Sequence, residues 1–308
     1  MEIKYDDLTT EKSNPKTTDI DIMNTEEMLY VINSEDKTVA YAVEKEIPNI
    51  ARAVDLITAK LKEGGRLIYV GAGTSGRLGI IDASECPPTF GTEPGTVYAM
   101  IAGGDTALRN AVEGAEDSYE SGEADILNIN ISEKDVVVGI SASGSARYVI
   151  GALTEAKKKG AAAIAVCNSN PCPVLEIADI GISPIVGPEV IMGSTRMKAG
   201  TSQKMVLNML TTASMIKLGK VYKNLMVDMV LSNKKLKNRM KRIIMLATDK
   251  NQSEVEEYIS NHMGANMKEI IVSLLTGYGI DEAVKLLKEN GGYVRKAIEA
   301  AQNLHNCV

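Results

Sequence analysis

The chain has 308 residues, 44% of them hydrophobic and 24% charged, which is ordinary usage for a folded globular protein and excludes wholesale disorder or a fibrous repeat. Its 34 basic and 40 acidic residues leave a formal charge of −6, so the surface as a whole is not built to hold nucleic acid. With no Trp, one Phe and eleven Tyr, stacking platforms for single strands are scarce as well.

The first residues, Met1 to Asp7, are acidic and lack the apolar core of an export signal, and no run approaches the roughly 18 apolar residues of a membrane helix. A cytoplasmic protein without membrane or nucleic-acid partners is expected. Residues 1–38 are polar, punctuated by Thr9-Thr10 and Asn14-Pro15, and read as an extended arm with one short helix near Thr25, of the kind that wraps a partner subunit. From Val39 to Lys62 apolar residues recur at helical spacing, interrupted by Pro48 and closed by Gly64-Gly65.

Five short β-prone runs follow, at Arg66–Gly71, Val97–Ala102, Asp135–Ser141, Ala161–Cys167 and Ile180–Ile185, with helical patterns between them at Thr106–Tyr119 and Ala146–Lys159. This alternation, with strands apolar almost throughout, predicts an α/β fold: a doubly wound five-stranded parallel sheet covered on both faces. Ligands in such folds bind beyond the carboxyl ends of the strands. A Met-rich helix from Ser194 to about Leu218 reads as core or subunit interface. Between Lys217 and Arg242 nine Lys/Arg accompany one acid, Asp228, which reads as a solvated helix face. Residues 251–308, broken at Gly277, Gly279, Gly291 and Gly292, read as a small C-terminal helical subdomain, leaving 39–250 as the main domain.

Four cysteines, Cys86, Cys167, Cys172 and Cys307, are too sparse for a disulfide framework and show no metal-ligand spacing, so reduced thiols and no bound metal are expected. The two histidines, His262 and His305, fall in the last fifth of the chain and read as surface or helix-end residues. Acids and bases for a site in the first two thirds must then come from carboxylate, lysine, tyrosine or cysteine.

The motifs lie at the strand ends. Gly71-Ala72-Gly73-Thr74-Ser75-Gly76 follows the first strand and opens a helix; it matches G-x-G-x-x-G, but the first acid after the second strand is Asp105, too late to hold a dinucleotide ribose. A nicotinamide-dependent dehydrogenase is the weaker reading. The hydroxyls of Thr74 and Ser75 beside backbone N–H groups at a helix start instead make a cradle for a phosphate monoester, to which Arg77 adds charge. A second hydroxyl loop, with Ser141, Ser143 and Ser145, follows the third strand, and two such loops on neighbouring strand ends can grip one phosphate from both sides. A third segment, Gly193–Gln203, sets Arg196 and Lys198 at the head of the Met-rich helix, where a sugar's hydroxyls or charge would be met. Glu85 lies one short helix after the first loop, fixed by Pro87-Pro88, and Glu113 and Glu116 follow the second strand, one helical turn apart. Without a nearby histidine carboxylates are the natural acid and base, and two in different environments suit the two partners.

Five blocks carry a resemblance: Gly71–Arg77, Asp82–Gly91, Ile101–Gly104, Ala111–Asp117 and Gly193–Thr201. In this order they resemble the N-acetylmuramic acid 6-phosphate etherases, in the SIS (sugar isomerase) superfamily, and the polar arm and helical tail match that family too. The resemblance implies a flavodoxin-like SIS domain, a homodimer with its active site near the subunit interface, a sugar phosphate as small-molecule partner, and no cofactor. It implies a lyase of bacterial cell-wall sugar recycling that cleaves the D-lactyl ether of N-acetylmuramate 6-phosphate to N-acetylglucosamine 6-phosphate and D-lactate, by elimination and then water addition. Glu85 maps onto the acid that protonates the departing lactate oxygen and Glu116 onto the base at the sugar C2. The phosphate loops map onto Thr74, Ser75, Ser141 and Ser143; Gly73, Gly76, Arg77, Ser194, Thr195 and Lys198 are further expected substrate contacts. The chain departs from the family at Ser143-Gly144-Ser145-Ala146-Arg147, where the family reads Ser-Gly-Arg-Thr-Pro, and Ser145 is the hydroxyl at hand to replace the missing threonine. The alternative implied by the same fold is a regulatory sugar-phosphate sensor, which needs the loops but not the glutamates.

Overall fold

The computed structural model describes residues 9–230 and 234–305, so that Cys307 lies outside the described residues. Helix α1 begins where Asn24 accepts a hydrogen bond from the Glu27 N–H and Glu27 reaches back to the Asn24 N–H, and it runs Thr25–Glu44. The short helix expected near Thr25 is therefore a 20-residue one. Its buried positions, Glu35, Val39, Ala42 and Val43, lie in its second half, which is why the segment before Val39 reads as an arm. Helix α2, Ile47–Lys62, carries Pro48 in its first turn, where the missing N–H costs nothing.

The expected α/β architecture is present. Strand β1 (Leu67–Gly71) leads into α3 (Gly73–Phe90), and β2 (Val97–Ile101) is followed by α4 (Thr106–Arg109) and α5 (Tyr119–Asn128). Then come β3 (Val136–Ser141), α6 (Arg147–Lys158), β4 (Ala162–Cys167), α7 (Pro173–Ile177), β5 (Ile180–Ile182) and α8 (Lys198–Lys217). The sheet is parallel throughout with strand order β2-β1-β3-β4-β5. Every residue of β1 and β3 is buried, as strands covered by helices on both faces require.

Two helices differ from expectation. Helix α3 continues through Pro87 and Pro88 instead of stopping short, both prolines falling in its last turn. The pattern over Thr106–Tyr119 is not one helix: α4 ends at Arg109, Gly114 adopts φ +70°, and a single 3₁₀ turn, Ala115–Asp117, precedes α5. Glu113 and Glu116 are thus separated by a left-handed glycine, and the spacing of one α-helical turn does not apply to them.

The chain forms two compact units, the described residues up to Ser84 with Pro94–Thr212, and Glu85–Glu93 with the described residues from Ala213. The second unit contains the short antiparallel pair β6 (Val221–Tyr222) and β7 (Leu225–Met226). Five helices follow: α9 (Lys234–Thr248), α10 (Gln252–Asn261), α11 (Met267–Thr276), α12 (Ile280–Glu289) and α13 (Val294–His305). Where the sequence starts the helical subdomain at residue 251, α9 already belongs with α10 to α13, because its apolar stripe, Met240, Ile243, Ile244 and Ala247, packs in one cluster with Val255, Ile270, Ile271, Leu286 and Ala297. In the basic stretch, Asp228 receives both Lys220 (3.3 Å) and Lys268 (2.6 Å), and Lys241 pairs with Glu256 at 2.9 Å. His262 ends α10 and stacks on Tyr258 at 4.2 Å between centroids, a helix-end position as expected.

Within the first unit, α5 and α6 meet backbone to backbone. A Cβ on Gly151 would lie 2.2 Å from the Tyr119 carbonyl oxygen, and one on Gly122 would lie 2.0 Å from that of Tyr148. Tyr148 in turn donates a hydrogen bond from its hydroxyl to Asp125 at 2.6 Å. This contact fixes α5 directly after the turn that carries Glu116. Gly151→Val should push the two helices apart at a cost of about 1–3 kcal/mol, lowering Tm by about 3–10 °C in calorimetry; an unchanged Tm would show that the helices are not pinned there.

Candidate active site

The site begins with the turn from β1 into α3. A Cβ on Gly71 would lie 2.7 Å from the Gly76 nitrogen, and one on Gly76 would lie 2.6 Å from Ile101 Cγ1, so only glycine lets the strand close onto the helix. Gly73 has φ +54° with open space around it. The consequence is a helix start at which the N–H groups of Gly73, Thr74 and Ser75 have no intrahelical partner, while the Gly76 N–H donates to the Ala72 carbonyl at 3.3 Å. Serines make the second turn: Ser141 Oγ accepts from the Gly144 N–H at 3.1 Å, and the hydroxyls of Ser143 and Ser145 lie 2.7 Å apart.

Both loops open on one cavity of about 290 Å³. Gly73, Thr74 and Ser75 line it from the β1 side, and Ser141, Ser143, Ser145 and Ala146 from the β3 side. Ser145 thus stands beside Ala146, a hydroxyl at the cavity where the family's threonine is missing. Glu116 and Asp117, from the 3₁₀ turn before α5, and Gly193 and Thr195, from the loop before α8, complete the wall together with Glu11 of the arm. No Lys or Arg lines the cavity among the described residues. An anion there would be held by backbone and hydroxyl dipoles at the starts of α3 and α6.

Ser75 is held from behind. Its hydroxyl donates to Gln203 Oε1 at 2.8 Å; Gln203 Nε2 donates to Asn168 Oδ1 at 3.0 Å, and Asn168 Nδ2 donates to Ser202 Oγ at 2.7 Å. All four residues are buried. The Ser75 hydroxyl proton is committed to this chain, leaving the oxygen as an acceptor and its backbone N–H as the group for an anion. Gln203 is a positioning residue that sequence reasoning quoted within a motif without assigning it.

Other expected contacts lie elsewhere. Gly76 is buried in the turn it closes. Arg77 turns to the loop after β2, donating from Nε to the Leu108 carbonyl at 3.1 Å. Ser194 sits between two cavity residues without lining it, its carbonyl accepting from the Met197 N–H. Glu85 is exposed on α3 and is not among the residues that line the cavity.

Lys198 is buried and makes an ion pair with Glu35 of α1, Nζ to Oε2 at 2.7 Å. Glu35 also accepts from Asn14 and Lys16, each at 2.9 Å. Burial alone would raise the Glu35 pKa, but the hydrogen bonds from Lys198, Lys16 and Asn14 outweigh it and hold it at about 2. Beside it Glu189 caps α8, accepting from the Lys198 and Ala199 N–H groups at 2.8 and 2.9 Å, while burial pushes its own pKa up. Lys198 therefore ties the arm and α1 to the head of α8. An ammonium spent this way is not a substrate contact.

Residues 113–213 match the SIS domain and residues 49–157 the glucokinase regulatory protein N-terminal SIS domain. Fold and site define a SIS-domain protein. An N-acetylmuramic acid 6-phosphate etherase from Caldanaerobacter subterraneus subsp. tengcongensis is 56% identical over 295 residues, covering 96% of each chain. One from Clostridium acetobutylicum is 56% identical over 301 residues, covering 97% of this chain and 99% of that one. The chain belongs to the N-acetylmuramic acid 6-phosphate etherase family. Among solved structures, a phosphoheptose isomerase from Neisseria gonorrhoeae is similar at 19% identity and a TM-score of 0.48, over 62% of this chain and 98% of that one.

The buried pair gives a pH-dependent expectation. A carboxylate with a depressed pKa stabilises the fold above its ordinary range, and that contribution is lost as pH falls from about 4.5 towards 2. Lys198→Met, which leaves Glu35 with Asn14 and the exposed Lys16 alone, should cost about 3 kcal/mol, the lower end for a broken buried pair, at pH 7 in urea unfolding, with the gap to the wild type narrowing below pH 4.5. A gap that stays constant as pH falls would contradict the assignment.

Proposed function

We propose that the cavity binds the 6-phosphate of N-acetylmuramate 6-phosphate between its two hydroxyl loops, and that Glu116 and Glu85 are the base and acid of the family's reaction. The product pair is N-acetylglucosamine 6-phosphate and D-lactate. Elimination requires removal of the C2 proton and protonation of a poor alkoxide leaving group, and water then adds to the unsaturated sugar. The observation that carries this reading is the convergence of Thr74, Ser75, Ser141 and Ser143 with Glu116 on one cavity. A regulatory sugar-phosphate sensor needs the loops alone, and the near full-length likeness to etherases disfavours it.

We further propose a cytoplasmic homodimer. Exposed apolar residues on and just before α1, Ile22, Leu29, Tyr30 and Tyr41, support a self-association surface; the Met-rich helix is mostly buried and offers less. A dimer also answers the position of Glu85. If the partner subunit's Glu85 completes the acid–base pair, each site needs both chains.

Glu116→Gln should abolish both solvent exchange at C2 and D-lactate release. Glu85→Gln should keep exchange in heavy water while lactate release falls by at least ~10²-fold, the lower end for a lost general acid. Wild-type protein that releases no lactate above a boiled control would sink the etherase reading. Mixing the two inactive variants as re-formed dimers should restore about a quarter of wild-type activity if the pair is shared across the interface, since half the dimers then hold one intact site of two. No restoration would mean that both glutamates act within one chain.

A further inference from the structure

Glu11 lines the same cavity, and the acid–base pair does not use it. We propose that Glu11 is a specificity residue whose carboxylate accepts a hydrogen bond from a neutral donor, a hydroxyl or the acetamido N–H, on the ring of the bound sugar phosphate. The proposal rests on the sugar-phosphate reading of this cavity and extends it to the arm.

Three observations carry it. Glu11 Oε1 accepts from the Thr10 hydroxyl at 3.2 Å, whereas Oε2 has no hydrogen-bond partner among the described residues. Oε2 lies 3.6 Å from where a Cβ on Gly193 would stand, which places that oxygen beside the Gly193 side of the cavity wall. The arm around it is anchored: Asn14 donates to buried Glu35 at 2.9 Å, and Thr17 donates to the Val190 carbonyl at 2.8 Å, one side of the loop that carries Gly193. Since no Lys or Arg among the described residues lines the cavity, none of them neutralises the charge of Glu11 within it. A carboxylate so placed attracts donors and repels anions, which assigns it to the sugar end of the ligand and leaves the phosphate to the loops.

The test is calorimetric titration of wild-type protein, Glu11→Ala and Glu11→Gln with N-acetylglucosamine 6-phosphate and, separately, with inorganic phosphate. Glu11→Ala should bind the sugar phosphate at least about tenfold more weakly, the lower bound for a donor left unpaired, with phosphate affinity within about twofold of wild type. Glu11→Gln, which keeps an acceptor oxygen, should fall between them. Unchanged sugar-phosphate affinity in Glu11→Ala would overturn the proposal, and so would equal losses for both ligands, the mark of a structural role. Because binding is the readout, wild-type protein that binds N-acetylglucosamine 6-phosphate but releases no lactate from N-acetylmuramate 6-phosphate sinks the etherase reading alone; wild-type protein that does not bind N-acetylglucosamine 6-phosphate overturns both.

Discussion

The position of the site follows from where the sheet changes direction. Strand β1 pairs with β2 on one side and with β3 on the other, so the chain must cross from β2 past β1 to begin β3. The loops leaving β1 and β3 then turn to opposite faces and open a crevice between them at the carboxyl ends. Everything attributed to the cavity depends on this reversal. The register carries it to the residue level, Gly71 opposite Ile140, which sets the glycine turn beside the serine turn.

The second constraint is electrostatic. Among the described residues the cavity wall has three carboxylates and no cation, so the proposed phosphate would be held through oriented N–H and hydroxyl dipoles, which must be fixed before the ligand arrives. The buried chain from Ser75 through Gln203 to Asn168 and Ser202 holds the turn in place by the Ser75 side chain, which leaves the Ser75 backbone N–H as the group that faces an anion. Two of the positive charges near the motifs in sequence are employed elsewhere. Lys198 anchors α1 and the arm, and Arg77 braces the loop after β2.

The strands and the two loops were legible in the sequence, because near-continuous apolar runs ending in Gly and Ser have few other interpretations in an α/β chain. Glu116 was legible through the family blocks. What stayed hidden depended on distant contacts. The Thr106–Tyr119 pattern has helical apolar spacing, but the backbone turns extended at Asn110 and left-handed at Gly114. Lys198 looked like a ligand group because its partner, Glu35, lies 163 residues away. Glu11 had no local signal at all; a carboxylate in a polar arm becomes part of a cavity only once Asn14 and Thr17 are tied down.

The central claim is that the two loops at the reversal hold the phosphate without help from a basic side chain. A crystal structure with N-acetylglucosamine 6-phosphate bound tests it most directly. The account predicts phosphate oxygens within hydrogen-bond distance of the backbone N–H groups opening α3 and of the Ser141 and Ser143 hydroxyls. A phosphate bound instead among the lysines and arginines of α9, with the cavity between β1 and β3 left to solvent, would contradict it.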